Sequence, residues 1–271
     1  MKNTNLFVKL LNNFKAKDSR DTIITFHNIL PSDFGWFKNT IDLIENKFEI
    51  MNPNDIYTNN KNSKKRVLIT FDDGFKSNKK LEELFLKPKK IKAIFFITTN
   101  FISLNKIKAF EFVTNNFYPK SKSAFLSSVS NKNNFLPMKW NELKELVAGG
   151  HTIGAHTKSH PVLSNLTLEN QRKEIIESKE IIEKKLNIII EHFAFPFGSP
   201  ETINSHSLDI MFKEFNYNFC NIRGMINKSK KHLLFRQNIS PAMPKWLIED
   251  IINGKLDWLH SGKRKKIKNL R

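Results

Sequence analysis

Short apolar runs alternate along the chain with longer stretches in which apolar residues recur every three or four positions. The runs at 22–26, 67–71, 93–98, 151–155, 188–195, 217–222 and 233–238 are rich in Ile, Val, Phe and Thr, and they read as strands. Stretches 78–86, 140–148, 167–186, 202–215 and 245–252 carry helical spacing. The clearest is 167–186, with Ile175, Ile176, Ile181, Ile182 and Leu186 set among Glu and Lys. Gly149-Gly150 and Gly254 supply helix stops. Strand–helix alternation implies parallel strands joined by helical crossovers, and seven such strands suggest a barrel over an open sheet. In barrels of this type the chemistry sits at the carboxyl ends of the strands. Two stretches break the alternation. Residues 52–65 are rich in Asn and Lys and read as a surface loop. Residues 103–137, with many Ser, Asn and Lys and isolated Phe, read either as a small helical excursion that shapes a groove or as a mobile insertion.

The chain has 271 residues, enough for one large domain. Residues 22–258 form that domain, between an N-terminal extension (1–21) and a basic C-terminal tail (259–271). A single cysteine, Cys220, excludes an internal disulfide and reads as packing within a strand. Residues 1–17 are polar and basic and lack the apolar stretch of a signal peptide. No run is long enough to span a bilayer. The expectation is a cytoplasmic protein, with the inner membrane surface as an alternative station. The formal net charge is +19, from 45 Lys+Arg against 26 Asp+Glu. Such a balance suits nucleic acid or anionic membrane. The abundance of Asn, Ile and Phe also fits an AT-rich coding sequence, in which Lys drifts onto solvated faces. Charge without a recognised binding module does not argue for a specific nucleic-acid partner. The cluster at 262–271 is sharper: weak anionic membrane association is one reading, a frayed solvated tail the other.

Candidate chemistry is concentrated in two segments. Thr70-Phe71-Asp72-Asp73-Gly74 ends a strand in two adjacent acids and so delivers carboxylates to a rim. Burying them costs several kcal/mol unless a cation or donors compensate. In His156-Thr157-Lys158-Ser159-His160 the two imidazoles can face one way and share a cation. One carboxylate with two imidazoles makes an open metal site with room for water and substrate, and leaves the other carboxylate free as a base. Alternatively, the histidines cap a turn before Pro161.

These segments resemble the first two motifs of the polysaccharide deacetylases, the NodB-homology or carbohydrate esterase 4 group. Gly150-His151-Thr152-Ile153-Gly154-Ala155 fits as well, and Phe193-Ala194-Phe195-Pro196-Phe197-Gly198 looks like a third motif. The resemblance spans 22–258 and implies an α/β fold, a distorted (β/α)7 barrel. It assigns Asp72 to the general base and Asp73, His156 and His160 to a divalent metal, Zn²⁺ first, with Co²⁺ or Ni²⁺ as alternatives. His27 resembles the His of a Tyr-His that opens one permuted branch, where it takes the acid's place. His260, in a Leu-x-His match, is its competitor. The family's motif-three Arg would stand at Ala194, which cannot orient Asp72. Arg236 is the candidate replacement, as a bidentate carboxylate partner, and Arg223 its rival. Phe197 falls at the oxyanion position, where its backbone N–H can act, and Pro196 and Gly198 shape that turn. The fourth motif is not visible. His151 reads as structural, His192, His206 and His232 have no identifiable partner, and Trp140 reads as core or groove wall.

The implied activity is metal-dependent removal of an N-acetyl or other N-acyl group from an amino sugar. The substrate would belong to a polysaccharide, a lipopolysaccharide, or a nucleotide- or lipid-linked precursor. Deformylation or O-deacetylation would use the same machinery. The alternative is a catalytically impaired carbohydrate- or polyanion-binding protein on the same fold.

Overall fold

The computed structural model describes residues 21–58, 64–226 and 233–270. The readings made on residues 1–17 and on His232 fall outside this range. The strands are β1 (Thr22–Phe26), β2 (Glu49–Ile50), β3 (Arg66–Phe71), β4 (Ile94–Ile97), β5 (Thr152–Ala155), β6 (His192–Ala194), β7 (Tyr217–Phe219) and β8 (Gln237–Asn238). The helices are α1 (Phe34–Lys47), α2 (Lys76–Leu81), α3 (Lys106–Phe112), α4 (Lys122–Ser128), α5 (Trp140–Ala148), α6 (Leu168–Leu186), α7 (Ser205–Glu214), α8 (Lys245–Ile252) and α9 (Ser261–Lys268).

Among the described residues the named strands all pair in parallel, in the order β7-β6-β5-β4-β3-β1-β8. β2 pairs with β3 alone, through Glu49 and Ile50 opposite Arg66 and Val67. Higher up, Thr70 and Phe71 pair with β4 instead. A bridge from Phe219 to Leu234, just before β8, joins the two ends of this order. The sheet therefore curls into a barrel, as the alternation suggests, and it is the distorted (β/α)7 barrel that the resemblance implies.

Strand parity sorts the side chains into two layers, because successive residues face opposite sides of a strand. Ile23, Leu68, Phe96, Ala194, Phe219 and Leu234 fill the barrel interior. Ile24, Val67, Ile69, Phe71, Phe95 and Phe193 face outward, into the core shared with the helices. β1 and β3 are buried on both faces, which explains their near-continuous apolar sequence. Gly154 faces inward, where a Cβ would strike the Phe96 ring.

The predicted strands and helices are present, most of them within the expected bounds, while β3 and α2 begin earlier, at Arg66 and Lys76. Thr167 Oγ1 caps α6 by accepting from Asn170 N–H at 3.3 Å. The sequence pattern did not reveal α1 or β2. Residues 103–137 are a helical excursion: α3 and α4 enclose a small core of Phe101, Phe110, Phe125 and Phe135. The basic tail is not frayed over 261–268, since α9 forms there and buries Ile267.

Candidate metal centre

Parity carries the barrel interior up to its mouth. Residues 23 and 25 of β1 point inward, so His27 continues that row; residues 68 and 70 of β3 do the same for Asp72. Arg236 follows Leu234 on the inward row before β8. The three side chains converge on this basis. Arg236 is fully buried, and its Nη1 and Nη2 donate to Asp72 Oδ1 and Oδ2 at 2.6 and 2.7 Å. Nη1 also reaches Thr25 and Thr70 Oγ1, and Nε donates to Cys220 O, each at 3.3 Å. Phe96 and Phe219 cover the guanidinium, with ring centroids 5.2 and 6.0 Å away. Ala194 belongs to the same interior cluster as these rings.

Burial is the largest single influence and raises the Asp72 pKa, but the opposing ones, led by the Arg236 guanidinium, together hold the carboxyl well below the usual carboxylate range. His27 Nε2 lies 3.7 Å from Asp72 Oδ2, with 36 % of its side chain exposed. Crowding by protein lowers the His27 pKa more than the neighbouring Asp72 raises it.

Asp73 should point away from the mouth by the same parity. A φ of 77° breaks the alternation, and Gly74 N–H donates back to Asp72 O at 3.0 Å in a three-residue turn. The turn brings Asp73 Oδ1 to 3.6 Å from His156 Nε2 and 3.5 Å from His160 Nε2. His156 donates Nδ1–H to Ala194 O at 2.7 Å, and His160 donates Nδ1–H to Asn116 O at 3.1 Å. A carbonyl can only accept, so both rings present an Nε2 lone pair to Asp73.

Asp73, His156 and His160 are all buried, and among the described residues Asp73 Oδ1 has no hydrogen-bond donor. Burial, with Asp72 adding to it, pushes the Asp73 pKa well above its ordinary value. Burial pushes His156 down to about 4, and His160 well below its usual value. A cation resolves all three conflicts. Two metal–ligand bonds of about 2.1 Å at the tetrahedral angle separate donor atoms by about 3.4 Å, close to the spacing found here. The residues therefore fit a divalent ion, with N and O donors that suit zinc.

The surrounding loops fix the pair. Glu174 of α6 accepts from Lys158 and Ser159 N–H through Oε2, both at 2.9 Å, and from Ser159 Oγ through Oε1 at 2.7 Å. The His160 ring lies between Phe117 and Phe197, at centroid distances of 4.7 and 4.6 Å. Phe117 comes from the 103–137 excursion, which is pinned to the acidic turn by Met138 N–H donating to Gly74 O (2.9 Å) and Lys76 N–H donating to Leu136 O (2.8 Å). Glu174, Asn116 and Phe117 escaped sequence reasoning; the isolated Phe residues were the only signal.

Phe197 sits at φ 58°, and its N–H donates to no backbone carbonyl among the described residues. Pro196 O accepts from Gly198 N–H at 2.6 Å. At Gly198, φ 60°, a Cβ would collide with Asn221 N. The rival residues stand apart. Arg223 donates to Gln237 Oε1 at 3.3 Å, and its own N–H meets His260 Nδ1 at 3.4 Å. His151 bonds Glu82 (3.3 Å) and Ala93 N–H (3.2 Å), and His206 is exposed on α7. Burial pushes the Cys220 thiol up to about 12, which leaves it a packing residue.

A family profile described as polysaccharide deacetylase matches residues 59–218, more than half of the chain. No curated protein matches. Among solved structures, the deacetylase PplD of Streptococcus pyogenes in complex with acetate is 19% identical, with a TM-score of 0.65 over 86% of this chain and 98% of that one. IcaB from Ammonifex degensii is 19% identical, with a TM-score of 0.66 over 87% and 97%. A de-N-acetylase from Aggregatibacter actinomycetemcomitans is 13% identical, with a TM-score of 0.65 over 86% and 99%. These likenesses speak to the fold. The profile runs through both the acidic turn and the histidine loop, and on that ground the chain belongs to the polysaccharide deacetylase family.

Proposed function

We propose that the protein is a metal-dependent hydrolase that removes an N-acetyl group from an amino sugar. One juxtaposition carries this reading. An acid held through both oxygens by a buried guanidinium stands next to a second acid whose donor-free oxygen faces two imidazole lone pairs.

Asp73, His156 and His160 would hold the cation. When bound, a divalent ion supplies polarisation of the acyl oxygen and a water of lowered pKa. Asp72 is the base: Arg236 keeps it ionised and aims it, and it accepts the proton of the attacking water. The Phe197 N–H donates to the oxygen that gains charge as the amide carbon becomes tetrahedral. His27, partly open to solvent, donates the proton that lets the sugar amine leave. The family's missing arginine at Ala194 is replaced in this scheme by Arg236, which favours an active enzyme over a binding protein.

The family implies an acetylated glycan. A nucleotide- or lipid-linked precursor of a surface polysaccharide would suit the lysine-rich surface, and the cytoplasm or inner membrane face would be its place. Zn²⁺ is the metal we assign. The test measures bound metal and acetate release from N-acetylglucosamine oligomers and nucleotide-linked N-acetyl sugars. Wild type should hold stoichiometric zinc and release acetate. Asp73→Asn and His156→Ala should lose both, and Asp72→Asn should keep the metal and lose turnover. An absence of metal under replete conditions would reject the site.

A further inference from the structure

The turn Asp257–His260 and α9 form a surface that the catalytic reading leaves unused. Trp258 and Leu259 are 51% and 52% exposed, side by side. α9 turns Ile267 into the core and leaves Lys263, Lys265, Lys266 and Lys268 exposed. The surface is held rigidly. Gln237 Nε2 donates to Asp257 Oδ1 at 2.7 Å, and Arg264 Nη1 donates to the carbonyls of Arg223 and Asp257 at 2.5 and 2.7 Å. Lys266 lies 3.9 Å from Glu201, on the loop that follows Gly198, so this surface borders the barrel mouth.

An exposed indole and leucine beside four ammonium groups match one environment closely. Trp settles at the headgroup level of a bilayer, Leu enters the acyl boundary, and Lys reaches lipid phosphates. A nucleic-acid backbone would satisfy the lysines but would gain nothing from Leu259. We propose that the turn Asp257–His260 and α9 dock the protein on an anionic lipid surface, with Trp258 and Leu259 seated in the interface. Docking there would bring the site mouth near the headgroups. The proposal stands independently of the deacetylase reading.

The full chain should sediment with vesicles of phosphatidylcholine mixed with phosphatidylglycerol, and not with phosphatidylcholine alone, and its tryptophan emission should shift to the blue. Lys265→Glu with Lys268→Glu should weaken binding at least tenfold, at about fivefold per lysine. Trp258→Ser with Leu259→Ser should abolish the emission shift and weaken binding. A matched charge change on α6, Lys184→Glu with Lys185→Glu, should have little effect. Acetate release from a soluble oligomer should stay at the wild-type rate in every variant, so either reading can fail alone. The proposal would be overturned by no binding to anionic vesicles, by equal weakening in both charge-changed pairs, or by binding unchanged in the Trp258/Leu259 variant. RNA binding lost in the α9 lysine variant but indifferent to Trp258 and Leu259 would also overturn it, in favour of a polyanion site.

Discussion

Arg236 donates two hydrogen bonds to Asp72, and both side chains are buried. A lysine could supply the charge but not the fork, so Arg236→Lys frees one Asp72 oxygen and lets the carboxylate turn. We expect kcat to fall by about 10²-fold, the lower range of what base catalysis contributes, with bound metal unchanged. Activity at the wild-type rate would sink the assignment. A second prediction concerns His192, which stacks on Tyr217 at 4.3 Å and whose Nε2 has no partner among the described residues. Burial pushes its pKa from 6.5 down to about 4. Between these values the unfolded chain binds a proton that the folded chain refuses, so stability falls as pH falls across this window. The penalty approaches about 3 kcal/mol at the acid end, at ~1.4 kcal/mol per pH unit. His192→Phe keeps the ring stack and removes the titration. Its urea midpoint should drop less than that of the wild type between neutral pH and pH 4, and equal drops would refute this.

The metal loop depends on elements far from it in sequence. Glu174→Ala leaves Lys158 and Ser159 N–H without their acceptor, and Phe117→Ala removes one wall of the His160 ring. Loss of such supporting contacts typically costs 10- to 100-fold in metal affinity, and we expect about tenfold for each change by competition with a zinc chelator. An unchanged affinity would make both contacts incidental. None of this support was legible in the sequence. His156 and His160 each bond a backbone carbonyl, which leaves no residue-type signature, and Glu174 is one of many acids on an amphipathic helix. The strands were legible because β-branched and aromatic runs bounded by polar turns mark them. α1 was not, because its buried face includes Thr40 and its first turn is aromatic. β2, only two residues long, carries no periodicity. Residues 103–137 have loop-like composition, and their Phe residues make sense only once α3 and α4 bring them together.

At the scale of the molecule, the site's three buried ligands leave the folded protein with a conflict that a cation relieves. Ligand binding to the native state alone raises stability, by about 2.7 kcal/mol at a free concentration 100 times Kd. Zinc should therefore raise the wild-type Tm and a strong chelator lower it, while His156→Ala should respond to neither. A wild-type Tm indifferent to zinc would count against the centre. The order of strands around the barrel was only partly legible. The alternation implied parallel neighbours, but the closing bridge from Phe219 to Leu234 joins positions that no local pattern pairs.

Under the proposed function, that closure would separate two kinds of competence in time. Asp72 and Arg236 lie 164 residues apart in the chain, whereas the three candidate metal ligands all precede β6. During synthesis a ribosome-bound chain could assemble its ion-binding loop well before the guanidinium emerges. The nascent protein would then hold metal while its base stayed unaimed, and turnover would begin only when the last strand docked.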